Sequence, residues 1–110
     1  MKTISVPTSP LAAERLDLGQ EQETDTLDML LSEQEFNVLF SSGFIEQVNK
    51  LANVNIDDYE DEVISDPRGL KVCENLSVEF FNRTQLEVFS KIIAQAEFAQ
   101  KAGTSLHFFF

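Results

Sequence analysis

The sequence predicts an α+β fold, with about four helices packed on a small sheet that includes both ends of the 110-residue chain. Three observations carry that expectation. The chain opens on "KTISV" and closes on "SLHFFF", short apolar segments that read as strands. Ser32 with Glu35, and Thr84 with Glu87, have the spacing of a capping box, each followed by apolar residues at helical intervals. Asp66 followed by Pro67 is a third helix start, because Asp caps free backbone N–H groups and proline suits the first helical position.

In chain order, Ile4 and Val6 share one side of the first strand, residues 2–6, which Pro7 stops. Residues 7–26, "PTSPLAAERLDLGQEQETDT", are polar and broken by prolines and a glycine, and read as a loop with a helical turn around Leu11–Leu16. "TLDMLL" fits both periods: Leu27, Met29 and Leu31 alternate, while Leu27, Leu30 and Leu31 share a helical stripe. Ser32 then begins a helix with Phe36, Leu39 and Phe40 on one face and Gly43 as its stop. A second helix runs from Phe44, with Phe44, Val48 and Leu51, flanked by Ile45 and Ala52, facing inward, and Asn53 and Asn55 end it. The next segment is a connection anchored by Ile56, Val63 and Ile64.

The helix from Pro67 places Val72, Cys73, Leu76 and Phe80 on one face. Residues 76–81 also alternate, so helix and strand compete there, with helix favoured. The helix from Thr84 to Gly103 buries Leu86, Phe89, Ile93 and Ala96, widened by Ile92 and Ala99, and leaves Phe98 on the far side. The terminal strand is too apolar for an exposed edge and is expected inside the sheet, beside residues 2–6.

A chain of this length is expected to form a single domain, residues 1–110, and to bury roughly two-thirds of its unfolded surface. Ten phenylalanines supply bulk for that core. One cysteine, Cys73, excludes an internal disulfide framework. The first residues lack the apolar stretch of a signal peptide, and no apolar run approaches the ~20 residues that cross a bilayer. A soluble cytoplasmic protein is expected.

Charge is the informative part of the composition. Nineteen acids face eight bases, for a net −11. Residues 1–66 hold 15 acids and three bases (Lys2, Arg15, Lys50), whereas residues 67–110 hold four acids and five bases. Such a surface repels nucleic acid and anionic membrane and attracts basic proteins. It exceeds the magnitude of ~2–8 that solubility requires of a small domain. The densest part is "NIDDYEDEVISD", where Asp57, Asp58, Glu60, Asp61, Glu62 and Asp66 surround Tyr59, the one tyrosine. Glu21, Glu23, Asp25, Asp28, Glu33 and Glu35 extend the same sign toward the N-terminus.

Metal and catalytic readings of these residues are weak. A calcium loop needs glycine at its sixth position and glutamate at its twelfth. Counting from Asp57 gives Glu62 and Arg68, and counting from Asn53 gives Asp58 and Ile64. One histidine and one cysteine cannot build a zinc cluster. His107 sits among apolar neighbours and reads as a packed residue, and Cys73 reads as a small buried hydrophobe. Four scattered glycines make no phosphate loop. Neither an enzyme nor a metal or other cofactor is expected.

A partner surface fits better. Tyrosine among carboxylates is a pairing suited to a binding hot spot, and the flanking Ile56, Val63 and Ile64 would hold it in place. The predicted partner-binding set is therefore Asp57, Asp58, Tyr59, Glu60, Asp61, Glu62 and Asp66. The stretch "EFNVLFSSGFIEQVNKLANVNIDDYEDEVI", with the capped helix after it and the Gly…His-Phe-Phe-Phe ending, resembles small bacterial immunity proteins. Those are the cognate antidotes of polymorphic or contact-dependent toxins. The resemblance spans residues 32–110 and does not extend to the four-helix DNase-colicin immunity proteins, which lack such terminal strands. It implies one tight cognate partner, bound through acidic and aromatic residues, and protection by occlusion. The charge excess, separately, leads us to expect a basic, nuclease-type toxin whose positive cleft is occluded. A monomer is expected. The alternative is a small acidic secretion chaperone, which would dimerise and offer apolar grooves to an unfolded effector. A DNA mimic would instead need carboxylates at duplex phosphate spacing.

Overall fold

A computed structural model describes residues 2–110. The elements run β1 (Thr3–Pro7), α1 (Pro10–Asp17), β2 (Thr26–Leu30), α2 (Glu33–Ser41), α3 (Phe44–Ala52), β3 (Glu62–Ile64), α4 (Pro67–Thr84), α5 (Glu87–Ala102) and β4 (Leu106–Phe109). The four strands form one antiparallel sheet in the order β2-β1-β4-β3. The fold is α+β as expected, with five helices among the described residues rather than about four.

The additional helix is α1. Ser9 accepts a hydrogen bond from the Ala12 N–H and Pro10 occupies the first turn, the same chemistry that starts α4 at Asp66 and Pro67. Helix α1 extends the helical turn expected around Leu11–Leu16 to eight residues. "TLDMLL" resolves as β2, because pairing with β1 sets Met29 beside Ile4 in the core. Residues 76–81 are helical, within α4. The strand β3 inside the predicted connection exists because β4 offers it a partner.

The capping box at Ser32 and Glu35 forms with both bonds. The one expected at Thr84 and Glu87 does not. Thr84 ends α4 instead, donating its hydroxyl to the Phe80 carbonyl and accepting from the Leu86 N–H. Gln85 then turns left-handed at φ 58° and α5 starts at Glu87. Leu86 consequently lies outside the helix and is exposed, contrary to expectation, and Val88 takes its place in the core. Leu51 and Val63, also expected inside, are exposed as well. Val63 points to the sheet face opposite α5.

The sheet has two different faces. Ile4, Val6, Ile64, Leu106 and Phe108 point toward the helices and are fully buried. Helix α5 packs on that face, α4 on α5, α3 on α4 and α2 on α3. At the centre Phe44, Phe80 and Phe89 form a triangle of rings with centroids 5.2–5.4 Å apart. Gln95 is the polar exception on the buried side of α5. Its amide donates to the Ile4 carbonyl at 2.9 Å and the Leu27 carbonyl at 3.0 Å, stitching α5 to β1 and β2. The opposite face carries Thr3, Ser5, Asp28, Leu30, Val63, His107 and Phe109, with α1 beside β1. β4 lies inside the sheet next to β1, as its apolar sequence requires. No helix among the described residues is long and apolar enough to cross a membrane.

Candidate partner interface

The acidic run is held at both ends by side chains that serve the backbone. Asn53 closes α3 in the left-handed region at φ 57°, a conformation asparagine tolerates well. Asn49, one turn earlier, grips Ile56 twice: its amide donates to the Ile56 carbonyl at 2.9 Å and its oxygen accepts the Ile56 N–H at 2.7 Å. The Ile56 and Ile64 side chains are buried in the core, as expected of anchors. Between them Asp57 makes an Asx turn, accepting the N–H groups of Tyr59 and Glu60 at 2.9 and 3.0 Å. Glu62 spans the loop base, taking the Asn55 N–H at 2.9 Å and its neighbour Val63 N–H at 3.0 Å. Asp66 caps α4 through the Gly69 N–H at 2.8 Å. Gly69 must stay small, since a Cβ there would come within 2.6 Å of the Asp66 carboxylate and 2.8 Å of Ile64.

The seven predicted residues thus divide by task. Asp57, Glu62 and Asp66 commit their carboxylates to the chain's own N–H groups and shape the loop. Asp58, Tyr59, Glu60 and Asp61 project from it. Tyr59 is 90% exposed, so this rigidly based loop presents its ring and hydroxyl to solvent. No ion pair among the described residues includes any of these carboxylates. The nearest cation in sequence, Arg68, donates to the Leu51 carbonyl instead. Asp58 borders a shallow hollow with Phe36 and Phe40 of α2, and Asp61 lies toward His107 of β4.

The other acids do not form one uniform surface. Asp25 is buried and paired with Arg15 through two bonds of 2.6 Å. The Arg15 hydrogen bond, helped by the Gln22 N–H, pulls the Asp25 carboxyl down to about 2. Glu35 is held below its ordinary range by its cap bond to Ser32 and by Lys91. Asp28 accepts from the Ser5 hydroxyl at 2.7 Å. Glu21, Glu23 and Glu33 stay exposed.

Two residues considered for chemistry are packed. Burial pushes the Cys73 thiol up to about 12, leaving no reactive thiolate at neutral pH. His107 stacks on Phe109, and its Nε2 lies 2.8 Å from the Ser105 hydroxyl. Burial lowers its pKa against the opposing pull of Asp17 and Asp61. Gln95, whose polar side chain gives no local sign of burial, lies on the stripe Val88, Ile92, Gln95, Ala99 that the helical period marks as buried. Comparison with protein-family models, curated proteins and solved structures yields no match to this chain.

Proposed function

We propose that this protein binds and neutralises a basic protein, acting as an immunity protein against a nuclease-type toxin. The observation that carries this reading is the loop around Tyr59: an outward aromatic among unpaired carboxylates, on a base fixed by Asn49, Asp57 and Glu62. Preorganisation matters because ordering a flexible loop on binding would consume interaction energy. A nuclease cleft is positive because its substrate is a polyanion, and carboxylates at such a cleft steer association and form close charge pairs of ~1.5–7 kcal/mol. The tyrosine adds desolvated contact area at the centre of the acidic ring. The exposed large apolar side chains are spread over α1, β2, α3, β3, α4 and the loops, an arrangement that suits a folded partner better than the long groove of a chaperone.

The test is protection. The product of the adjoining gene would be coexpressed with this chain, and growth measured. The native chain is expected to relieve toxicity, and the variant combining Asp58→Lys, Tyr59→Ala and Asp61→Lys to lose protection at an unchanged melting temperature. Equal protection by that variant would remove the loop from the interface.

A further inference from the structure

β2, a strand of five residues, forms the sheet edge opposite the acidic loop. Just outside its ends the Leu31 N–H donates to the Lys2 carbonyl and the Thr8 N–H to the Asp25 carbonyl. With Thr3 opposite Leu30, that alternation makes Ile4–Met29 and Val6–Leu27 the hydrogen-bonded pairs. The backbone N–H and C=O groups of Thr26, Asp28 and Leu30 therefore point away from β1, along a free edge. Leu27 and Leu30 flank it, and Leu30 is 58% exposed.

Grooves run beside that edge on both faces of the sheet. One, of about 560 Å³, lies over the face formed by Thr26 and Asp28 of β2, Thr3 and Ser5 of β1 and Phe109 of β4, and Glu21 and Glu23 stand at its side. The other, of about 350 Å³, lies against α5 and is lined by residues 27–30 of β2 with Gln95 and Lys91, the lysine paired with Glu35. An added strand would send alternate side chains into the two grooves. The acidic one favours lysine or arginine and the other favours aliphatic side chains. A second copy of this chain fits poorly. Antiparallel pairing of two β2 strands about their midpoint would set Asp28 against Asp28 between molecules of net charge −11.

We propose that β2 accepts an extended segment of the partner, alternating basic and aliphatic residues, as an antiparallel fifth strand. This deepens the reading above and rests on it. The two sheet edges lie three strand spacings apart, about 14 Å, so one protein can engage both.

The probe is a capped heptapeptide alternating lysine and valine, added to the full chain. Its binding should slow amide exchange at Thr26, Asp28 and Leu30 and leave Val63 unchanged. In the antiparallel register, lysines opposite Asp28 direct their N–H groups to β2. N-methylation of the lysines is then expected to weaken binding by about tenfold, whereas N-methylation of the valines does not. Leu30→Pro, which removes one outward N–H and no bond to β1, should weaken binding similarly. The loop variant at Asp58, Tyr59 and Asp61 should bind the peptide as the native chain does. Unchanged exchange at the β2 edge, indifference to lysine N-methylation, or loss of the peptide in the loop variant would each overturn the fifth-strand proposal. None of these would touch the loop's role in neutralisation, which growth protection reads independently.

Discussion

β2 and β3 flank the same central pair of strands, yet the chain treats the two edges differently. On β3 the outward N–H belongs to Val63, and the preceding Glu62 folds back to accept it at 3.0 Å. The same carboxylate holds Asn55, so the side chain that closes this edge also fixes the acidic loop. On β2 three residues face outward, and the one carboxylate among them, Asp28, turns toward Ser5 on the sheet face instead. An edge is closed by where a neighbouring carboxylate reaches as well as by strand length. The short edge displays a side-chain surface, and the longer one leaves its backbone available.

Substitutions on either edge test the difference between them. The largest effect is expected from Ile64→Ala, which empties a fully buried position under β3. A loss of ~2–5 kcal/mol in denaturant unfolding is expected, since the rigid β-sheet and α4 cannot collapse into the space. A cost under that range would mean β3 is loosely docked and the loop lacks its anchor. Gln95→Ala should come next, leaving the Ile4 and Leu27 carbonyls with one partner fewer, at ~1–3 kcal/mol. Hydrogen exchange should quicken along β1 and β2 but not at Glu62–Ile64; uniform quickening would show that the two edges are not separable. The smallest effect on global stability should follow Glu62→Ala. Exchange at Val63 and Asn55 should rise several-fold while the melting temperature barely moves. If Val63 stays protected in that variant, the carboxylate is not what closes this edge.

Much of the fold was legible because its signals are local. Ser32 with Glu35, Asp66 with Pro67, and glycines at positions 43 and 103 act within a turn of themselves, and each performs as the pattern predicts. Thr84 failed because α4 runs through it: its hydroxyl donates to the Phe80 carbonyl and accepts the Leu86 N–H instead of the Glu87 N–H that a capping box would use. "TLDMLL" fitted both strand and helix, and β3 read as part of a connection, since a strand of three to five residues is stabilised by its neighbours. The acidic loop was visible as a run of residue types. Its division into shaping residues (Asp57, Glu62, Asp66) and projecting ones (Asp58, Tyr59, Glu60, Asp61) was not, because that depends on which N–H groups lie within reach. Likewise Asp25 counted toward a negative surface until folding placed Arg15 against it.

Composition and local pattern determined the α+β class, the helix starts at Ser32 and Asp66, the inner position of the C-terminal strand and the excess of negative charge in residues 1–66. Tertiary structure alone decided which carboxylates remain unpaired, that Tyr59 faces solvent, and that the β2 backbone is left open between two grooves. The physical reason is range: capping and hydrophobic periodicity act over three or four residues, while an ion pair or a sheet edge joins residues that only the folded chain brings together.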